Sequence, residues 1–387
     1  MAVAAQSVAL GKLAYDISGR KDVLGFIGLL EFLPAAALAL VSGHLADRYD
    51  RRKIGALAGA AELACAVALA VYASSERRAL APIYIIAFTF GVARSFAAPA
   101  VRSLTPATLP AADLHRSVPL SSLSWQFASI AGPLLGGFAY AAAAWLPFAF
   151  AAGLFGLMMI LLLTMQPHPV ERSGTTAGWK SVLEGFSLIR RSPMLLGAIS
   201  LDLFAVLFGG AVALLPVYAK EVLHVDAKGL GLLRAAPGVG AAIMGLWLAH
   251  RPITRRIGST LFAAVAAFGV FTIVFAVSKT MWLSLVALAL LAAADMVSVF
   301  IRGALVPLVT PLHVRGRVMA VEAVFIGGSN ELGAFESGVA AQALGTAPSV
   351  VFGGLVTLAV AGGWALLFPA LRRVDRFPSG PTEGPDR

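Results

Sequence analysis

The sequence predicts an all-α membrane protein, and three observations carry that prediction. Hydrophobic residues make up 59% of the 387 residues and charged residues only 13%, against about 25% charged in an ordinary soluble protein. Mean hydropathy is +0.84, so a water-soluble fold would lack the polar surface to cover its core. Apolar stretches of about 20 residues, the length that crosses a bilayer as a helix, recur between short polar connections along the whole chain. The single cysteine, Cys65, excludes an internal disulfide framework and a zinc ribbon. A net charge of +10 admits nucleic acid as a partner, but the 30 Lys and Arg are scattered between apolar runs. That placement reads as membrane topology, and no nucleic-acid partner is expected.

Taken in order, Met1 to Tyr15 is apolar enough for a helix but too short to cross alone. No basic region precedes it, so it does not read as a signal peptide. It reads as the second half of an incomplete first span. Eleven full-length spans follow, near 23–46, 54–74, 80–103, 117–141, 145–166, 193–218, 228–249, 259–278, 281–306, 317–344 and 349–371. Charge, Pro or Gly bounds each one. Arg20 to Asp22 precede the first, Asp47 to Lys53 separate it from the second, and Ser74 to Arg78 end the second. The turn from Arg102 to Arg116 and Trp145–Pro147 mark the next two boundaries, and Pro167 to Pro193 is the longest polar stretch. Beyond it, Lys220–Lys228, His250–Ile257, Lys279, Pro311–Arg317 and Gly345 divide the remaining spans. The expected organisation is an N-terminal helix bundle at 1–166 with helix one incomplete, a cytoplasmic linker at 167–192, a C-terminal bundle at 193–371 and a tail at 372–387. Within the linker, Trp179, Val182, Leu183, Phe186 and Ile189 follow helical spacing, which predicts an amphipathic helix on the inner membrane surface.

Charge sets the orientation. If 47–53 is cytoplasmic, nineteen Lys and Arg fall on the inner side. The outer loops hold seven: Arg20, Lys21, Arg77, Arg78, Lys220, Lys228 and Lys279. The excess satisfies the positive-inside rule and places the C-terminus in the cytoplasm. A weak repeat supports two related halves: Arg102 with Pro106 ends one span, and Arg302 with Pro307 ends another, 200 residues later.

One inner loop carries a specific pattern, Gly43-His44-Leu45-Ala46-Asp47-Arg48-Tyr49-Asp50-Arg51-Arg52-Lys53. Gly43 permits close helix approach, Asp47 suits the positive end of a neighbouring helix, and Arg48, Arg51 and Arg52 offer forked hydrogen bonds to carboxylates. Such a network, with Asp50, can lock two bundles and release as they rock. The pattern resembles the inner-loop signature of the major facilitator superfamily. In helix five, Ala128 to Gly137 is similar to the antiporter motif of drug/proton exporters, with Ala128 in place of a glycine. Gly132, Gly136 and Gly137 there allow close packing and Pro133 kinks the span. Gln6 to Ala9, Tyr15-Asp16, Gly91 to Phe96, Trp125-Gln126, Leu201 to Phe204, Ala294 to Ser298 and Ser329 to Gly333 resemble the enterobactin-exporter-like branch. The resemblance implies two six-helix bundles of the major facilitator fold and export of siderophores or drugs.

Charged groups deep in lipid are costly and tend to face a cavity. The candidates for proton coupling or a substrate cavity are Asp202, Asp295, Arg94, Glu31, Glu62, Glu331, Asn330 and Gln126, with Glu336 beside them. All six histidines lie in loops or near helix ends, so coupling falls to carboxylates, first to Asp202 and Asp295. Arg94 suits an anionic group. Asp295 and Arg302 lie too far apart along one helix to pair directly, and Arg302, near the inner end, is expected to snorkel to phosphates. Asn330 beside Gly327, Gly328 and Gly333 predicts a broken helix. No phosphate-cradling, metal-ligating or nucleophile motif occurs, so neither an enzyme, a cofactor nor a metal is expected. The reading is a monomeric secondary active exporter in a bacterial inner membrane, coupling protons to efflux of a small amphipathic molecule. An uncoupled lipid or metabolite facilitator of the same fold, or a non-transporting truncated product, is the alternative.

Overall fold

A computed structural model describes residues 1–76, 79–108, 114–165, 179–312 and 314–378. The first part of the expected linker, 167–178, and the end of the tail, 379–387, lie outside the described residues. So do the surroundings of Gly43 and the side chains of Asp47 and Arg48.

Among the described residues every regular element is helical. α1 (Ala2–Ser18), α2 (Asp22–Arg48), α3 (Arg51–Ser74), α4 (Leu80–Thr108), α5 (Leu114–Ala142) and α6 (Leu146–Thr164) are followed by α7 (Trp179–Arg191) and α8 (Pro193–Phe208). A broken stretch comes next: a 3₁₀ turn at Ala211–Leu214, α9 (Leu215–Val217) and a π turn at Tyr218–Val222. The chain then forms α10 (Ala227–His250), α11 (Ile257–Val277), α12 (Met281–Val309), α13 (Arg315–Leu344), α14 (Thr346–Leu367) and α15 (Pro369–Arg372). Helices thus stand over all eleven apolar stretches. Eight of the described helical segments are long and apolar enough to cross a membrane by length and composition. Trp282, Leu57 and Leu366 are among the large apolar side chains left exposed, as expected where hydrocarbon is the solvent.

Local chemistry explains the ends. α1 stops at Gly19, whose left-handed backbone (φ 63) lets its N–H donate to the Tyr15 carbonyl. Asp50 caps α3 by accepting from the Arg52 backbone N–H. Ser192 caps α8, and Pro193 supplies its fixed φ at the first helical position.

The chain forms two compact units. The first contains 1–176 and the segment Leu215–Ala235; the second contains 177–214 and 236–387. In the first, α3 packs on α4 and α6, α2 on α4, and α1 on α5 and α6. In the second, α11 packs on α12 and α14, and α8 on α13 and α14. α7 is a helix over the stretch that the periodicity marked. Its Ile189 is fully buried in the second unit's core, Phe186 meets Phe325 at 6.3 Å between ring centroids, and Glu184 pairs with Arg317.

α13 corrects one expectation. It runs unbroken from Arg315 to Leu344 through Gly327, Gly328 and Gly333, and Asn330 donates within its own helix to the Ile326 carbonyl at 2.8 Å. Glycine inside a helix costs about 1 kcal/mol, which packing overrides here. Gly333 serves close approach, since a Cβ there would lie 2.6 Å from the Leu207 carbonyl oxygen. The break falls instead after α8, where Gly209 and Gly210 interrupt a span.

Candidate functional site: a buried arginine among three carboxyl groups

α8, α12 and α13 bring one guanidinium and three acids together in the second unit. Arg302 on α12 is 4% exposed and Asp202 on α8 is 6% exposed. Arg302 Nη2 lies 2.6 Å from Asp202 Oδ1, and Nη1 lies 3.8 Å from Glu322 Oε1 on α13. Arg302 Nε donates to Ser298 Oγ at 3.3 Å. The expected snorkelling of Arg302 is therefore corrected: helical side chains lean toward the N-terminus, so its fork folds back toward Ser298, into the unit. Asp295, one turn before Ser298, is within electrostatic reach of both Asp202 and Arg302. Asp202, Asp295 and Ser298 line a cavity of about 10 Å³ with Ala205, Val206, Val265 and Phe268. That is room for about one water between two carboxyl groups.

This arrangement is chemically unbalanced. One cation faces three acids, and a buried charge without compensation is expensive.

The other sequence-predicted residues lie elsewhere. Glu62 on α3 is buried, 3% exposed, and the Arg94 charge on α4 acts on it; Arg94 itself is exposed. Glu31 on α2 is half-buried at the place where α2 meets Gly91 of α4, whose lack of a side chain admits the Glu31 backbone. Gln126 on α5 is half-buried. Glu331 and Glu336 on α13 are half-buried and Asn330 is exposed. Glu322 was not singled out in the sequence; its one signal is a carboxylate between Val321 and Ala323 inside a span.

In the first unit a second polar cluster joins α1 to the π turn. Asp16 pairs with Lys12 at 2.7 Å and with Lys220 at 3.2 Å. Glu221 pairs with Lys21 at 3.0 Å and accepts from the Tyr15 hydroxyl. Tyr140 of α5 donates to Asp16 at 3.4 Å. An open cleft of about 550 Å³, lined by Leu13, Asp16, Ile17, Tyr72, Ala73, Ser75 and Glu76, adjoins this cluster.

The helix-five glycines sit at close contacts of the first unit. A Cβ on Gly132 would stand 2.7 Å from the Ala4 Cβ, and one on Gly136 would stand 2.6 Å from the Ala5 carbonyl oxygen. One on Gly137 would stand 2.6 Å from Gly231 Cα. A Cβ on Gly231 would in turn stand 3.0 Å from the Pro133 carbonyl oxygen.

In the loop between α2 and α3, Asp50 Oδ2 meets Arg52 Nη2 at 3.1 Å, and Arg52 Nη1 donates to the Met165 carbonyl at the end of α6 at 2.6 Å. Burial pushes the Asp50 carboxyl up. The Arg52 side-chain and backbone hydrogen bonds, with the Arg52 and Lys53 charges, outweigh it and hold the group below the usual carboxylate range. Arg51 is half-buried beside it.

Comparison with known proteins fits this architecture. The family model for the Major Facilitator Superfamily matches residues 1–334. The enterobactin exporter EntS of Citrobacter koseri is 28% identical over 93% of this chain and 87% of its own. The EntS of Shigella boydii is 30% identical over 76% of this chain and 71% of its own. Among solved structures, the nucleoside transporter NupG (D323A mutant) superposes with a TM-score of 0.74 at 12% identity, covering 95% of this chain and 96% of that one. A bacterial homologue of the human lysosomal transporter Spinster, inward-facing and occupied, gives 0.73 at 13% identity over 98% and 97%. At those identities the likeness establishes the fold alone. The family match over most of the chain goes further: this multi-pass membrane protein belongs to the Major Facilitator Superfamily of transporters.

Proposed function

We propose that the chain is a secondary active exporter, driving a small amphipathic molecule out of the cell by alternating access while protons flow inward. The observation that carries this reading is the ratio of one buried cation, Arg302, to three carboxyl groups. With Asp202 ionised, Arg302 is held on α8. When Asp202 takes a proton that attraction lapses, and Glu322 on α13 becomes the stronger partner. Asp295 and the one-water cavity supply the path for that proton. Protonation is thereby converted into a change of which helices are tied together, the kind of two-state bias a transporter needs.

Export as the direction rests on the antiporter-like run ending at Gly136 and Gly137 and on the relatives named as enterobactin exporters. Those names favour a siderophore or drug class of substrate. Glu31, Glu62, Arg94 and Gln126 in the first unit, with Glu331 and Asn330 in the second, are the proposed substrate-facing groups. The loop carrying Gly43, Asp47, Arg48, Asp50, Arg51 and Arg52 is the proposed conformational lock. The proposed topology is eleven spans and a stub in a bacterial inner membrane, as a monomer with its C-terminus inside. The bundles are placed at 1–166 and 193–371, the linker at 167–192 and the tail at 372–387.

The test is efflux from vesicles under an imposed pH gradient, with Asp202→Asn and Asp295→Asn. Loss of gradient dependence in either variant supports the coupling role. Unchanged transport in both removes it, and transport that persists in the presence of an uncoupler favours a facilitator instead.

A further inference from the structure

The segment 368–377, after α14, is packed into the second unit. Leu371 is fully buried in the core of the second unit, with Phe368, Val374 and Phe377 packed against it. Gly258, in the first turn of α11, has no side chain to hold the chain off, and the Leu371 carbonyl sits against it. The Gly258 N–H donates to the Val374 carbonyl at 2.9 Å. The Arg256 N–H donates to the Asp375 carboxylate at 3.1 Å. Asp375 therefore does for α11 what an N-cap does, from 119 residues away. Arg256 accepts a left-handed backbone (φ 54) to allow it.

This docking joins two basic runs. Arg251, Arg255 and Arg256 come from the α10–α11 turn, and Arg372, Arg373 and Arg376 from the segment after α14; all six are exposed. Among the described residues the one carboxylate at this rim is Asp375, already engaged by the Arg256 backbone and 3.8 Å from Arg376 Nε. Topology alone needs basic residues near span ends, not a folded platform that concentrates them. Beside the rim, large apolar side chains are left exposed: Leu246 at 61% and Trp247 at 51% on α10, Leu366 at 74% and Leu367 at 68% on α14.

We propose that this rim is a binding surface for anionic phospholipid. The guanidinium groups take the phosphodiester, and Leu246, Trp247, Leu366 and Leu367 lie along the acyl chains. The apolar flank selects an amphiphile over free phosphate, and clustered basic residues at the membrane surface attract anionic headgroups strongly. The inference rests on the proposed inner placement of the chain end. It is independent of substrate and proton coupling.

The experiment follows thermal unfolding of the full chain in neutral detergent while short-chain phosphatidylglycerol, phosphatidylcholine of the same length, or inorganic phosphate is added. Phosphatidylglycerol should raise the midpoint more than phosphatidylcholine, with the gain shrinking at high salt. The combined Arg372→Gln, Arg373→Gln and Arg376→Gln variant should bind phosphatidylglycerol with at least about tenfold lower apparent affinity. If that variant does not fold, Arg251→Gln with Arg255→Gln, which spares the docked segment, carries the same test. Equal responses to the two lipids, equal responses of wild type and variant, or stabilisation by phosphate alone would each overturn the proposal. Because no transport is measured, failure here leaves the exporter reading standing, and failure of coupling leaves the lipid surface standing.

Discussion

The cluster joining α1 to the π turn and the cluster around Arg302 obey opposite rules. Where α1 meets the π turn, cations outnumber acids: Lys12, Lys21 and Lys220 serve Asp16 and Glu221, and the pairs are partly exposed. Water and salt screen such pairs, and exposed ones contribute ~0–1 kcal/mol. Around Arg302 the acids outnumber the cation, and burial removes the screening. The first cluster tolerates change because solvent substitutes for a lost partner. The second does not, since removing one member strands the rest in a low dielectric.

Breaking the second cluster therefore carries the largest expected effect. Arg302→Ala should cost about 3–5 kcal/mol of stability, read as a lowered unfolding midpoint and poor recovery from membranes. Adding Asp202→Asn to that variant should restore part of the loss, because it removes one stranded acid; no recovery would mean the two side chains do not share an interaction. Next comes Gly136→Val, which drives a branched side chain into the Ala5 backbone and should cost roughly 1–3 kcal/mol. Gly153→Ala is its control, having open space, and should be neutral or slightly stabilising.

A smaller effect attaches to Asp50. Its folded-state pKa is depressed, so its contribution is present above the ordinary carboxylate value and fades as pH falls through the lowered one. Asp50→Ala should lose about 0.5–2 kcal/mol of helix capping at neutral pH, with the gap from wild type closing in strong acid. A gap that widens in acid would contradict the assigned sign. The smallest effect belongs to the partly exposed cluster: Lys220→Ala should cost less than ~1 kcal/mol of stability, and less still in high salt. If Lys220→Ala instead matched Arg302→Ala, the contrast between the clusters would be broken.

What the sequence made legible follows from what is local. Continuous apolar runs do not depend on tertiary partners, so helices stand where hydropathy placed spans. Asp202 and Asp295 stood out because a carboxylate inside such a run is anomalous in itself. The ion pairs of Arg302 were hidden because their members come from α8, α12 and α13, and nothing in the spacing of Asp295 and Arg302 reveals where a long side chain folds. Glu322 lies inside the 317–344 span and is the same kind of local anomaly, but nothing local shows that it faces Arg302. Likewise Gly327, Gly328 and Gly333 looked like a helix breaker, while at Gly333 the missing side chain makes room for Leu207. The assignment of Leu215–Ala235 to the first unit and the capping of α11 by Asp375 depend on contacts between distant segments, which periodicity does not encode.

The central claim is that acids around Arg302 hold an exchangeable proton inside the bilayer. Infrared difference spectroscopy of the purified transporter, titrated around neutral pH, reads the carboxylic-acid carbonyl band directly. The account predicts a band that titrates in the wild type and is lost or displaced in Asp202→Asn or Asp295→Asn. A wild-type spectrum with no protonated carboxyl, or a band indifferent to both substitutions, would contradict it.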